Sequence, residues 1–554
     1  MPTTLLSDSS WKRRGDMGAG VVYERPLGTT EFCFYWDGVF QGTADTLQHA
    51  QVQLGSSTYS QFSHPINFKR TWIVLKQRFP LLGAQIIERD ENSIFFSVDE
   101  ERLGKTDPAE IEFRTISSDE EASELVRDLV TKQRALSNDL LARVFVLERT
   151  DNPDYFHLII QAAHCITDGM SNITILKTFL HQLTQPTPPV PNLQERLALA
   201  LSSEELVPQR KFSEARKRWR KAIAAVISSK NVFKRKLGHT LPRNISQLTP
   251  HTPARSRTLT YSFDPHTSDL IISTCRKHQL TFGNAYPIIG QIALTRVLLR
   301  RYLRNEIGEE EWQWRKREPM VSAGPLNLRP MLDPEWQKAG GLNNVCVSIG
   351  FFAFSLPFMP LGKATNIKPG MQMPPFEDLL SAKRFMHRAK DVKIQAAKFI
   401  KNPLFMEINS ISAPGRIQRV QSAGIPWRNG IKAPKGLTDR PLSPQEQAAN
   451  GLVFCNGGSS MGNVDLLLPL EYPIGKQRRS KAPLLELKNS ATVLRCRPSE
   501  LYLGASTSRQ KLHIIVYWDN NVFDEDVVTE WMEEVRAAID YYLGDGAQKA
   551  QGKL

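Results

Sequence analysis

Hydrophobic and polar positions alternate in two blocks, one on each side of a proline-rich break. In the first block, Ser63 to Arg78 spaces Phe68, Trp72 and Leu75, with Phe79 just beyond, as one helical face ending at Pro80. Two short strands, Ala84–Glu88 and Ile94–Val98, follow. Ser117 or Ser118 opens a helix with acids in its first turn and an apolar stripe through Leu125, Leu129 and Leu136. Leu141–Glu148 and Tyr155–Ala163 read as a hairpin around Asn152–Asp154, the second strand having the unbroken apolar character of a buried one. That run ends at His164, and a tight turn follows at Asp168 and Gly169. Ser171 or Asn172 then caps a helix whose apolar face is Ile173, Leu176, Phe179, Leu180 and Leu183. Residues 1–30 read as an irregular arm, and the aromatic run Glu31–Trp36 as a strand.

The break is Thr184–Pro191, TQPTPPVP. It divides the chain into an N-terminal lobe (1–185), a linker with a helical insertion (186–255) and a C-terminal lobe (256–554). Glu195–Lys230 reads as one or two amphipathic helices, and Arg210–Lys236 is strongly basic: a phosphate or membrane-surface contact, or a solvated helix face. The second block opens with a strand, Arg257–Phe263, and helices at His266–His278 and Phe282–Arg304. Met320–Pro330 is a strand running into a turn, Val345–Phe354 a buried strand, and Phe376–Lys401 a helix with Leu379, Leu380 and Phe385 inward. Ser412–Asn450, rich in Pro, Gly and Arg, is expected to be disordered or a surface excursion. In Leu452–Pro469 two strands flank a Gly-Gly-Ser-Ser-Met-Gly turn. Strands Leu501–Ser506 and Leu512–Trp518 and a helix Asp524–Leu543 close an α/β pattern.

At 554 residues the chain exceeds one compact core, which agrees with two lobes. Its six cysteines are scattered with no C-x-x-C, the usage of a reducing, cytoplasmic setting with buried thiols. The first residues have charges but no apolar segment of a signal peptide, and the longest apolar run, Val345–Leu361, is interrupted by serines and prolines, so no integral membrane association is expected. The terminal Gly552-Lys553-Leu554 departs from the peroxisomal Ser-Lys-Leu address at its first position. The net charge of +14 attracts polyanions, yet no zinc-finger, helix-turn-helix or RNP pattern accompanies it, and no nucleic-acid partner is expected. No metal is expected either, since His164 and Asp168 have no third and fourth ligand near them in sequence.

His164 stands where a strand hands over to a loop. Such a position holds an imidazole firmly with one nitrogen facing a cavity, where it can take a proton from a hydroxyl. Asp168, just before a glycine, is suited to pin the turn through a basic residue elsewhere. The frame L-x-R-V-x-V from Leu141, H-L-I-I from His157 and H-x-x-x-D-G-x-S from His164 resembles the CoA-dependent acyltransferase superfamily, which includes chloramphenicol acetyltransferase, BAHD acyltransferases and condensation domains. Ala163 stands where many condensation domains have a first histidine. The chain is in this more similar to the stand-alone O-acyltransferases, and among them to the fungal trichothecene 15-O-acetyltransferases.

The resemblance implies an α/β fold of two chloramphenicol-acetyltransferase-like lobes, each a mixed sheet flanked by helices, with a tunnel between them. It implies a monomer with no bound cofactor, acyl-CoA (acetyl-CoA) as co-substrate and a small-molecule alcohol of secondary metabolism as acceptor. His164 is then the general base, Asp168 orients it, and Gly169 completes the turn. By the match to an N-x-R-like element, Arg329 partners Asp168 with Asn327 nearby, Arg143 and Arg25 being rivals. Ser460 and Gly462 fall where the superfamily has D-F-G-x-G, and Ser460 is a candidate hydrogen-bond donor to the reacting carbonyl. Two other readings stay open: a condensation or release enzyme using a carrier-protein thioester, and a silent small-molecule binder.

Overall fold

A computed structural model describes residues 10–14, 21–55, 64–233, 238, 240–450, 452, 454–475 and 482–546. Its strands are β1 (Lys12–Arg14), β2 (Val22–Pro26), β3 (Thr46–Leu54), β4 (Gln85–Asp90), β5 (Ser93–Asp99), β6 (Ile111–Ile116), β7 (Ala142–Arg149), β8 (Tyr155–Ala162), β9 (Ser256–Ser262), β10 (Pro319–Asn327), β11 (Ile349–Phe358), β12 (Asn456–Asn463), β13 (Glu471–Tyr472), β14 (Leu485–Leu494), β15 (Leu501–Ser508) and β16 (Lys511–Asp519). They form an N-terminal sheet in the order β13-β14-β3-β8-β7-β6, a C-terminal sheet in the order β11-β10-β12-β15-β16-β9, and a small sheet β1-β2-β5-β4. The two large sheets are mixed: β6/β7, β10/β12 and β12/β15 pair parallel, and the other neighbours antiparallel. The architecture is thus α/β with two helix-flanked mixed sheets.

Each large sheet has its own core. Phe68, Trp72 and Leu75 from Pro65–Arg78, with Leu176, Phe179 and Leu180 from Gly169–Leu183, pack on β3, β7 and β8. Ile288, Ile292 and Leu298 from Phe282–Leu303 and Trp531 and Ile539 from Glu525–Leu543 pack on β15 and β16. A smaller cluster joins the halves: Leu47, Phe145 and Ile159 meet Val493, Cys496 and Tyr517. The boundary between the lobes is also crossed by the backbone. β14, far along the C-terminal part of the chain, pairs antiparallel with β3 from Leu485↔Leu54 to Leu494↔Thr46 and so extends the N-terminal sheet.

Several elements differ from the sequence expectation. Glu31–Trp36 lies in a helix, Thr29–Val39, because Gly28 N–H donates to Glu31 at 2.7 Å and the helix is buried on nearly every side, which leaves no amphipathic stripe to mark it. The arm of residues 1–30 contributes β1 and β2. Phe376–Lys401 breaks at Leu380, whose backbone is extended, into Phe376–Leu379 and Ala382–Ile400. The stretch 412–450 holds helices Ala413–Arg428 and Pro444–Ala449, the first lying against Thr29–Val39 with Gly424 facing Trp36. Gly-Gly-Ser-Ser-Met-Gly is strand β12 itself rather than a turn, since its small side chains fit between β10 and β15. The strand read at Val345–Phe354 begins only at Ile349. Strands β3, β6 and β14 have no counterpart in the sequence reading. Gly552-Lys553-Leu554 and Lys234–Lys236 lie outside the described residues. Among the described residues no helix is long and apolar enough to cross a membrane.

Candidate active site

β8 ends at Ala162, and the chain turns sharply through His164 before the helix Gly169–Leu183. Ala163 N–H donates to Leu141 O at 2.8 Å and Ile166 N–H to Ala163 O at 3.1 Å, so the turn is tied to the hairpin. The His164 ring is half-buried and stacks on Phe34 with centroids 3.8 Å apart and planes within 6°. Nδ1 is shut away from solvent and makes no hydrogen bond of normal geometry, though the His164 and Thr167 backbones lie close enough to favour the protonated ring. Burial, helped by the positive charge of Arg497, pushes the imidazole pKa down to about 4, against the opposing pull of backbone carbonyls and Asp168. The ring is therefore neutral at physiological pH, the form that accepts a proton.

Asp168 and Arg329 meet in the interior, each 1% exposed. Arg329 donates through one terminal nitrogen to Asp168 Oδ2 at 2.8 Å, and through the other to Ser171 Oγ at 2.9 Å and Cys346 O at 2.8 Å. The pairing is single rather than bidentate, because the second arm is used on the start of the helix. Asp168 also caps that helix, accepting Ser171 N–H at 2.9 Å, and it accepts Ser348 N–H at 2.9 Å. Burial acts to raise its pKa, but the Arg329 charge and these donors hold the carboxyl below its usual range. Asn327 Oδ1 accepts the Arg329 backbone N–H at 3.1 Å and completes the group. The rivals are engaged elsewhere: Arg25 pairs with Glu31 and Arg143 with Glu112.

Gly169 lies at the first turn of the helix with its face toward β12; a Cβ there would meet the tip of Met461 at 3.9 Å. Ser460 points the other way. A Cβ on Gly283, at the start of Phe282–Leu303, would lie 3.3 Å from Ser460 Cβ, so Ser460 faces the C-terminal helix layer and not the motif. Alternation along the strand gives the inter-lobe face to Ser459, whose hydroxyl receives Tyr502 O–H at 2.7 Å. Gly462 has φ +68°, a left-handed conformation that suits glycine, and no atom faces its Cβ position. The structure thus brings together His164, Asp168, Gly169, Arg329 and Asn327, and turns Ser460 away.

Three contributors escaped the sequence reading. Phe34 was hidden in a segment taken for a strand. Arg497, between β14 and β15, lies over the Phe34 ring at 5.3 Å and pairs with Asp37 at 2.9 Å, so its charge reaches His164 from behind the stack. Asp45 is buried, forms a bidentate pair with Arg134 at 2.7 and 3.0 Å, and is also stabilised by the His164 backbone N–H. None has a local motif. Among the described residues, no His, Cys, Asp and Glu cluster is arranged to hold a metal ion.

No known family model matches the chain, and no curated protein matches it by sequence. Solved structures do. Trichothecene 15-O-acetyltransferase from Fusarium sporotrichioides superposes with a TM-score of 0.66 at 11% identity over 97% of this chain and 99% of that one. The condensation domain of monacolin K polyketide synthase gives 0.55 at 11% identity over 94% and 98%, and the epimerization domain of tyrocidine synthetase B 0.55 at 11% over 94% and 97%. With near-complete coverage in both directions, the chain shares the fold of these acetyltransferase, condensation-domain and epimerization-domain structures.

Proposed function

We propose that the protein is an acyl-CoA-dependent O-acyltransferase, and specifically an O-acetyltransferase, acting on a hydroxyl of a small secondary metabolite. The observation that supports this most is the neutral, half-buried His164, held on a turn that Asp168 and Arg329 clamp from two parts of the chain. His164 Nε2 removes the acceptor O–H proton as the oxygen attacks the thioester carbonyl. The tetrahedral intermediate collapses, the C–S bond breaks, and the imidazolium returns the proton to the thiolate. No acyl-enzyme forms. Cys165, next to the base, is buried in the core of the N-terminal lobe and its thiol pKa is pushed up by burial, which suits packing and not nucleophilic attack. General-base catalysis of this kind supplies on the order of 10² to 10⁴ in rate.

The test is a matrix of acyl-CoA donors and alcohol acceptors, read by mass spectrometry of the ester and by release of free CoA. Wild type should transfer acetyl to at least one alcohol, and His164→Ala should lose that activity while melting at the parent temperature. Substantial transfer by His164→Ala would remove the mechanism. Turnover only with a carrier-bound thioester would replace the donor and leave the base.

A further inference from the structure

The charge of the chain is concentrated on two helices. Residues 214–233 and 382–401 together hold thirteen lysines and arginines against Glu214 and Asp391, a net +11 where the whole chain has +14. Their backbones form the helices Glu214–Phe233 and Ala382–Ile400. The first is anchored to the segment just after the second: Arg220 donates to Glu407 and to the Pro403 carbonyl. Arg218 and Lys221 on the first, and Lys383, Arg384, Lys390 and Lys398 on the second, form no ion pair among the described residues. Positive charge gathered in this way attracts an extended anionic surface.

Apolar side chains stand among these cations and face water. Trp219 is 68% exposed and Val226 70%, with exposed Ala215 one turn before Trp219 and exposed Ala222 between the two. On the second helix Ile394, opposite the buried Phe385, Ala389 and Val392, is 48% exposed. The buried side of Glu214–Phe233 is already occupied, by Ala224 and by the Arg220 contacts to 403–407. The exposed stripe is therefore additional to what packing needs. A second copy of this surface would be repelled by its own charge. Nucleic acid would use the cations but leave Trp219, Val226 and Ile394 in water. Anionic lipid satisfies both: phosphate and carboxylate headgroups meet Lys and Arg, and the indole and branched side chains enter the boundary with the acyl chains.

We propose that these basic helices dock the protein peripherally on an anionic bilayer, with Trp219, Val226 and Ile394 at the headgroup boundary. This does not depend on the catalytic reading, since none of these residues belongs to the His164 site.

The experiment is co-sedimentation of the full-length protein with vesicles of pure phosphatidylcholine and of phosphatidylcholine with 30% phosphatidylserine, at low and high salt. Binding should require phosphatidylserine and be released by salt. Arg218→Glu combined with Lys221→Glu should lower partitioning at least tenfold, and Trp219→Ser severalfold, with melting temperature and His164-dependent activity unchanged. The exposed second helix provides an independent pair, Lys390→Glu with Ile394→Ser, should the first helix fail to fold when altered. Equal binding to neutral vesicles, no binding to anionic ones, parental binding by the charge-reversed variants, or capture of an acidic protein in place of vesicles would each overturn the proposal.

Discussion

Replacing Arg329 with methionine tests whether the clamp under the His164 turn is electrostatic. The substitution keeps most of the apolar volume and removes the donors to Asp168, Ser171 and Cys346. Asp168 then stays in the interior with only two backbone N–H partners, those of Ser171 and Ser348. Breaking a buried ion pair by removing one partner costs about 3–5 kcal/mol, because a charge is left without compensation. At roughly 2–4 °C per kcal/mol for a unit of this size, the melting temperature should fall on the order of 10 °C. The pH dependence should also change sign. In the parent the Asp168 pKa is depressed, so its stabilising contribution is present above the ordinary carboxylate range and lost as pH falls through the folded value. Without Arg329, burial is the larger influence and raises that pKa, so the deficit is greatest at neutral pH and narrows on acidification. Scanning calorimetry of wild type, Arg329→Met, Asp168→Asn and the double variant from about pH 3, below the ordinary carboxylate pKa, up to about pH 8 measures both effects. The double variant, with no unpaired charge, should recover at least half of the loss. An Arg329→Met protein within about 1 kcal/mol of the parent, or a double variant no better than the single one, would refute the reasoning.

The depressed His164 pKa predicts a kcat/KM profile whose acid limb lies nearer pH 4 than 6.5, because the neutral imidazole persists in the folded state down to about 4. A midpoint at 6.5 would show a solvated ring. His164 and His49 are both pushed down to about 4 by burial, so the stability they contribute is complete above about pH 6.5 and lost as pH falls toward 4, which urea titrations across that window should show. Gly424→Ala places a Cβ 2.8 Å from Trp36 Cε3 and 3.0 Å from Trp36 O, and should destabilise by about 1–3 kcal/mol. Gly415→Ala on the same helix meets nothing within 4 Å and should be neutral or stabilising in the same thermal melt. The six free cysteines are all buried, so a thiol reagent should label none of them rapidly in the native protein and six in denaturant.

What could be read in the sequence follows from how locally each feature is encoded. The hairpin β7/β8, the turn at His164 and the helix after it form a contiguous segment in which apolar run, turn residues and cap all agree, and the structure has them there. Strand β14 pairs with β3 more than 400 residues away along the chain, and nothing in LELKNSATVL says which sheet it joins. The helix Thr29–Val39 was misread because full burial removes the polar face that reveals helical period. Ser460 was chosen by letter over Ser459, though strand alternation decides which of two adjacent serines faces the other lobe.

These misreadings share a physical origin with the way the site is held. The N-terminal lobe supplies the imidazole and its nearest contacts, the Phe34 ring, Asp45 and the Leu141 carbonyl, but these are braced from outside it. Asp168 is held by Arg329 and the Ser348 amide, Gly169 faces Met461, and the Phe34 ring under His164 is covered by Arg497; all four partners come from beyond the proline-rich break. The inter-lobe cluster around Tyr517 and the β14/β3 pairing fix the distance at which those partners arrive. A shift of one lobe by a fraction of a side chain would therefore loosen the Asp168 clamp and the Phe34 stack together. Substitutions in the inter-lobe cluster, such as Tyr517→Ala, should accordingly lower kcat before they lower the binding of either substrate, although Tyr517 touches neither His164 nor Asp168. If kcat survives while KM rises, the contact between the lobes serves substrate binding, and the orientation of His164 is set within its own lobe after all.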